Sequence, residues 1–109
     1  MHAFDVLGDP VRRRILEILA EDRLASGEIV AIVGQEFGIT QSAISQHLKV
    51  LRDHGFATVQ AAGPRRICEI DPTPLAKLDQ WLTGFRRICE PKFEALAVEV
   101  ERGKLKRRK

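Results

Sequence analysis

Apolar residues recur at helical spacing in four stretches of this chain and at strand spacing in one. Val11, Ile15, Ile18 and Leu19 stand at i, i+4, i+7 and i+8, the stripe of an amphipathic helix. Asp9 precedes them as a capping residue, and Pro10 at the first helical position loses no hydrogen bond. Upstream, Phe4, Val6 and Leu7 predict a brief helix. Ser26 is expected to cap the next helix, which carries Ile29, Val30, Ile32 and Val33, with Gly34 and Gly38 punctuating its end.

Thr40 opens a further helix that runs to about His54, where Gly55 supplies a left-handed C-terminal residue. At 100° per residue this helix divides in two. Ala43, Ile44, His47, Leu48, Val50 and Leu51 fall on one side. Ser42, Ser45, Gln46 and Lys49 fall on the other, with Gln41 and Arg52 at the flank. The polar side carries no acid, and Asp53 lies one step past it. Two β-rich segments follow, 56–61 and 66–71, with Ala62-Gly63-Pro64 as turn chemistry between them. This predicts a hairpin with Arg65 and Arg66 at its tip. Pro72 and Pro74 end it. Leu75, Leu78, Leu82, Phe85 and Cys89 then step by 3, 4, 3 and 4, a narrow seam of the kind that pairs helices. Trp81 and Ile88 widen that seam. Pro91 is expected to kink or break the helix, and Phe93, Leu96 and Val100 resume its spacing.

Composition narrows the class. The chain has 109 residues, 44% of them hydrophobic and 30% charged, which fits one ordinary globular domain. We expect that domain over residues 1–100, followed by a basic tail over 101–109. A chain this short buries little of its surface, so a dimer sharing a core is expected. The longest aliphatic run, Ile29 to Val33, is far short of the ~20 residues that span a bilayer. No basic segment followed by an apolar one stands at the N-terminus, so a cytoplasmic protein without a membrane partner is expected. Two cysteines cannot build a disulfide scaffold or, within one chain, a four-ligand zinc site, and no metal or cofactor is expected.

The net charge of +3 is unevenly placed. The last nine residues hold six basic groups against Glu101, which leaves residues 1–100 with 12 basic and 14 acidic residues, net −2. The tail is either a solvated mobile end or a non-specific arm for phosphate. Any claim on nucleic acid must therefore rest on local patches of the folded part.

The element order is helix, helix, helix, hairpin, long helix. The stretches 26–33 and 40–54, joined by a short glycine-containing segment, have helix-turn-helix spacing, and the hairpin stands where a wing would. The fold class expected is mainly α with a small β-hairpin, a winged helix-turn-helix. Gln41, Ser42, Ser45 and Gln46 are short polar residues able to reach base edges in a major groove. Lys49 and the helix start capped by Thr40 suit phosphates. Arg65 and Arg66 can reach the adjacent backbone or minor groove. These eight residues are the candidate DNA-binding set, and the helix 40–54 with the wing 61–66 is the candidate interface.

The segments DPVRRRIL (9–16), TQSAISQHLKVLRDHG (40–55) and FATVQAAGPRRICEIDP (56–72) resemble the ArsR-type winged helix-turn-helix repressors of bacteria. PLAKLDQWLTGFRRICE (74–90) is similar to the last helix of members of that family without a metal site. The resemblance implies a homodimeric repressor on a partly palindromic operator in double-stranded DNA, dimerised through its first and last helices. Phe4, Leu75, Leu78, Leu82, Phe85 and Cys89 would then form the dimer interface. It leaves room for an inducer or an antagonist protein. The family's two common metal sites are missing: residues 27–33 hold no cysteine, and no histidine follows His54.

Several residues have plainer roles available. His47 faces the core and is expected as a packed, hydrogen-bonded histidine. His54 suits the negative end of its helix. Cys68 alternates with Arg66 and Ile70 on a strand, as a small buried residue. A thiol-responsive repressor using Cys68 or Cys89 is a lesser alternative. Of Arg12, Arg13 and Arg14, one or two are expected to pair with acids such as Glu17. The rival class is a winged-helix protein-interaction module that does not touch DNA. An enzyme is not expected: the sequence offers no phosphate-cradling glycine loop, no metal-ligand cluster and no nucleophile with an evident histidine-acid partner.

Overall fold

A computed structural model describes the backbone of residues 2–105 and the side chains of residues 2–89. The elements in order are α1 (Ala3–Leu7), α2 (Pro10–Glu21), β1 (Leu24–Ala25), α3 (Ser26–Phe37), α4 (Gln41–Asp53), β2 (Ala57–Ala62), β3 (Arg65–Ile70) and α5 (Thr73–Leu105). They form two compact units, one up to Ala76 and one from Lys77 onward. No helix among the described residues is long and apolar enough to cross a membrane.

A single-turn helix such as α1 has too few internal hydrogen bonds to persist alone. Its ends are closed from outside. At the start, His2 Nδ1 accepts from the Phe4 amide at 3.2 Å, and the Asp5 carboxylate accepts from the His2 amide at 2.9 Å. At the far end, Arg12 donates to the carbonyls of Val6 and Asp5 at 2.8 and 3.0 Å, and Arg13 donates to that of Leu7 at 2.8 Å. This explains a basic run at the start of α2, where the helix dipole disfavours it: two of these arginines satisfy the negative end of α1. Arg14 grips Glu36 of α3 through two bonds, 2.8 and 3.1 Å, and reaches Glu17 at 3.4 Å. The Arg14–Glu17 pairing follows the expectation from sequence; the pairing to Glu36 and the carbonyl caps do not.

The core of the first unit comes from the apolar stripes. Val11, Ile15, Leu16 and Leu19 of α2, Ile29 and Val33 of α3, Ile44 and Leu51 of α4, then Phe56, Ala57 and Cys68, are all buried. Among the described residues no polar or charged side chain is buried, so this core carries no desolvated charge. Ile18 is only half-buried, and Ile32 lies on the exposed side of α3.

The sheet is antiparallel with strand order β1-β3-β2. The hairpin is therefore extended by a third strand, in which Leu24 faces Cys68 and Ala25 faces Ile67. The β2–β3 ladder runs to Ala62 opposite Arg65, so the connection is Gly63-Pro64 alone. Gly63 has φ +64°, as the first central residue of a II′-like hairpin turn requires. The cap of α3 also differs from expectation. Ala25 holds that position, Ser26 is already helical, and the Glu28 carboxylate accepts from the Ala25 amide at 2.8 Å. Gly34 lies inside α3, and only Gly38, at φ +64°, ends it. α5 passes through Pro91 without a break. One lost amide is tolerable where the following residues, Lys92 and Glu94 to Ala97, are strong helix formers. Side chains of the expected tail over 101–109, and of Phe93, Leu96 and Val100, lie outside the described residues.

Candidate nucleic-acid interface

α4 is oriented by its apolar face and by both of its ends. Thr40 Oγ1 accepts from the Ala43 amide at 3.1 Å and so caps the first turn. At the other end Gly55, at φ +79°, turns the chain into β2, and the Phe56 amide donates to the Leu51 carbonyl at 2.8 Å. The His54 ring donates from Nδ1 to the Val50 carbonyl at 2.9 Å, because a carbonyl can only accept. Ile44 and Leu51 are fully buried, and Ala43, His47, Leu48 and Val50 are half-buried. This is the apolar side predicted from the 100° steps.

His47 tethers the back of α4 to α2. Its Nδ1 accepts from Arg12 at 3.3 Å, and the Asp9 carboxylate lies 3.9 Å away. Asp9 itself accepts from the Val11 and Arg12 amides at 2.8 and 3.2 Å. Partial burial pushes its pKa up, but those two amides and the charges of His47 and Arg12 outweigh this and hold it below the ordinary value.

The opposite side of α4 is exposed throughout: Gln41, Ser42, Ser45, Gln46 and Lys49, with Thr40 just before it. A cleft of about 460 Å³ lies along this side and the sheet face beside it. Gln41, Ser45, Gln46, Lys49 and Arg66 all line it, together with Ser26, Leu48, Arg52, Val59 and Cys68. Five of the eight candidate residues are thus brought to one surface. Thr40 and Ser42 flank it on the same helix, with the Thr40 hydroxyl already engaged as a cap.

Arg65 goes elsewhere. Neighbouring strand residues point to opposite faces, so Arg65 and Arg66 cannot share one. Arg65 lines a second cleft with Arg23, Glu28, Gln60 and Ile67, and donates to the Glu28 carboxylate at 3.3 Å. The strand period alone was enough to separate the two. Lys49 is also engaged, donating to Asp53 at 2.8 Å. That hydrogen bond, opposed by burial and helped by the charges of Lys49, Arg52 and His54, holds the Asp53 carboxyl below its usual range. Arg52, at the flank of the wheel and outside the candidate set, is exposed on the cleft.

Cys68 is buried beneath the cleft, and burial pushes its thiol up against the opposing charges of Arg66 and Arg52. A buried thiol held protonated is a poor nucleophile. On α5, Leu75 and Leu78 are half-buried. Leu82, Phe85 and Cys89 are exposed, as are Trp81 and Ile88. Trp81 and Phe85 pack with ring centroids 4.7 Å apart. Phe4 on α1 is exposed as well. No cluster of three or more His, Cys, Asp or Glu that could hold a metal ion occurs among the described residues.

A three-helix core, in which one helix keeps a polar exposed side, and a hairpin beside it define a winged helix-turn-helix. The model of the arsR family of bacterial regulatory proteins matches residues 9–59. HTH-type transcriptional regulator Rv2034 of Mycobacterium tuberculosis is 41% identical over 83 residues, covering 76% of this chain and 74% of that protein. Transcriptional repressor SdpR of Bacillus subtilis is 26% identical over 84 residues, 77% of this chain and 89% of that one. Among solved structures, the crystal structure of the ArsR family transcriptional regulator RHA00566 aligns with a TM-score of 0.66 at 25% identity, covering 80% and 86% of the two chains. The homodimeric winged helix-turn-helix DNA-binding domain Mb0332 of Mycobacterium bovis aligns at 0.58 and 22% identity, covering 76% and 73%. The chain belongs to the arsR family.

Proposed function

We propose that this regulator is a cytoplasmic homodimeric repressor of a partly palindromic operator. α4 enters the major groove, with Gln41, Ser42, Ser45 and Gln46 toward base edges. Thr40 and Lys49 lie toward phosphates. The wing lies over the flanking backbone or minor groove. The observation that carries this is the exposed, acid-free polar side of α4 opening into one cleft with Arg66. Gln is suited to bidentate bonds with adenine, and serine to several bases. Two copies related by a two-fold axis would set their α4 helices one DNA turn apart, ~34 Å. The exposed apolar residues of α5, and separately Phe4 of α1, are the residues we assign to that pairing, in line with the homodimeric Mb0332 domain. Occupancy would block a promoter by occlusion; the SdpR relative is named a transcriptional repressor. Release by an inducer or antagonist protein would require a change in the spacing of the two α4 helices.

The test is fluorescence anisotropy with duplex DNA from upstream of its own gene. Wild type binds with a steep salt dependence, and Gln46→Ala with Arg66→Ala abolishes specific binding. Unchanged binding by that double variant would remove α4 and the wing as the interface. No binding to any such duplex by wild type would favour the protein-interaction module.

A further inference from the structure

Among the described residues, ten line the cleft between α4 and the sheet, and none is a carboxylate. Three are cations: Lys49, Arg52 and Arg66. The Lys49 ammonium is bonded to Asp53, which stands outside the cleft lining. The two guanidiniums differ from the arginines that are engaged within the first unit. Arg12 and Arg13 are spent on carbonyls of α1, Arg14 on Glu36 and Glu17, and Arg65 on Glu28. Among the described residues, Arg52 and Arg66 have no carboxylate within 4.0 Å. Arg66 sits across the ladder from Ala61, whose methyl offers it no cross-strand partner. Both guanidiniums line the same cleft, together with Cys68.

Two like charges held on one concave surface without a counter-charge repel each other unless an anion joins them. A guanidinium presents a planar fork matched to phosphate oxygens. Serine and glutamine side chains along the same cleft add neutral hydrogen-bonding groups. We propose that Arg52 of α4 and Arg66 of β3 together clamp one backbone phosphate of the bound duplex, tying the reading helix to the wing. Arg52 is thereby a DNA-contacting residue beyond the candidate set. Its role is to position: a phosphate contact fixes register and is indifferent to base identity. The proposal rests on the operator-binding function given above and adds a specific contact to it.

The experiment measures affinity for the upstream duplex across a potassium chloride series, with wild type, Arg52→Gln, Arg52→Lys, Arg66→Gln and the Arg52→Gln/Arg66→Gln pair. Each phosphate contact contributes about 0.9 to the slope of log affinity against log salt. Arg52→Gln in a dimer is expected to flatten that slope by about 2 and to weaken all sequences alike. Arg52→Lys keeps the slope, which separates charge from fold. The double variant loses less than the sum of its parts, because both side chains serve one phosphate. Neutralising a single phosphate as methylphosphonate weakens wild type at one position, weakens Arg52→Gln less there because Arg66 remains, and leaves the double variant unaffected. To separate duplex from free anion, inorganic phosphate is added at constant ionic strength, and no competition beyond that of chloride is expected. Competition there would overturn the assignment to the duplex backbone. An unchanged slope in Arg52→Gln, or a change confined to one base position, would overturn the clamp. If Gln46→Ala still abolishes specific binding in that case, the operator-binding function stands without the clamp. If Gln46→Ala is also silent, that function falls too.

Discussion

Asp9 shows how much one residue carries in a small domain. Its carboxylate caps α2 and sits beside His47, on the back of α4. Replacing a capping aspartate by alanine costs about 1 kcal/mol, and Asp9→Ala should lower the urea midpoint accordingly, with Asp9→Asn closer to wild type. Its pKa is depressed in the folded state. The stabilisation it gives is therefore present above the unfolded value of about 3.9 and is lost as pH falls through the folded one. Urea titrations at a series of acid pH values should show Asp9→Ala less acid-sensitive than wild type; equal sensitivity would dismiss the linkage. Asp53 gives a second expectation. It holds Lys49 at 2.8 Å, so Asp53→Asn should free that ammonium, strengthen binding to duplex of any sequence and steepen the salt slope. A flatter slope would contradict this. At this scale the sequence was legible where chemistry is local. Asp9, Thr40 and Gly55 are caps dictated by backbone geometry, and each stands where expected. It was less legible where partners come from afar. The bond from Arg14 to Glu36 spans 22 positions, and the partnership of Arg65 with Glu28 spans 37. Arg52 looked marginal because a wheel shows one helix and the cleft is made by a helix and a sheet.

The elements repeat that lesson with larger parts. α2 and α4 were readable because their apolar stripes extend over three turns and more, and periodicity needs length to declare itself. β1 was not, since two residues carry no period; Leu24 and Ala25 become a strand only because β3 offers them an edge. The wing was found, but its strands close one residue tighter than Ala62-Gly63-Pro64 implied, because the ladder pairs Ala62 with Arg65. That tight turn depends on Gly63. At φ +64° any side chain costs about 1–2 kcal/mol, with open space around the added methyl and hence no clash to add to it. Gly63→Ala should therefore leave the helical core nearly intact while loosening the hairpin. The expected signature is faster amide hydrogen exchange in β2 and the β3 tip, with little change at Ile44 or Leu51. DNA affinity should fall several-fold. Uniformly faster exchange across α2 and α4 would mean that the turn supports the whole unit instead of the wing.

Under the proposed function, operator recognition depends on a property of the whole molecule, the pairing of two copies. One α4 helix spans few base pairs, and specificity for a long site comes from linking two of them. Leu82, Phe85, Trp81 and Ile88 of α5 are between 44% and 64% exposed, a large apolar area for one short stretch of helix. Apolar faces of this kind mark protein contacts, and a stable interface needs roughly 1,200 Å² or more. Placing a carboxylate there should oppose pairing without unfolding the first unit, whose core residues all precede Ala76. Phe85→Glu with Leu82→Glu should run as a monomer in sedimentation at concentrations where wild type is a dimer. Its thermal transition should persist, and its affinity for a two-half-site duplex should drop by about 100-fold or more, the gain that linking two sites provides. Affinity for a single half-site should change little, because α4 and its cleft are untouched. A variant that stays dimeric would remove α5 as the pairing surface. A monomer with undiminished affinity for the full duplex would show that one copy suffices, and the two-fold arrangement would have to be abandoned.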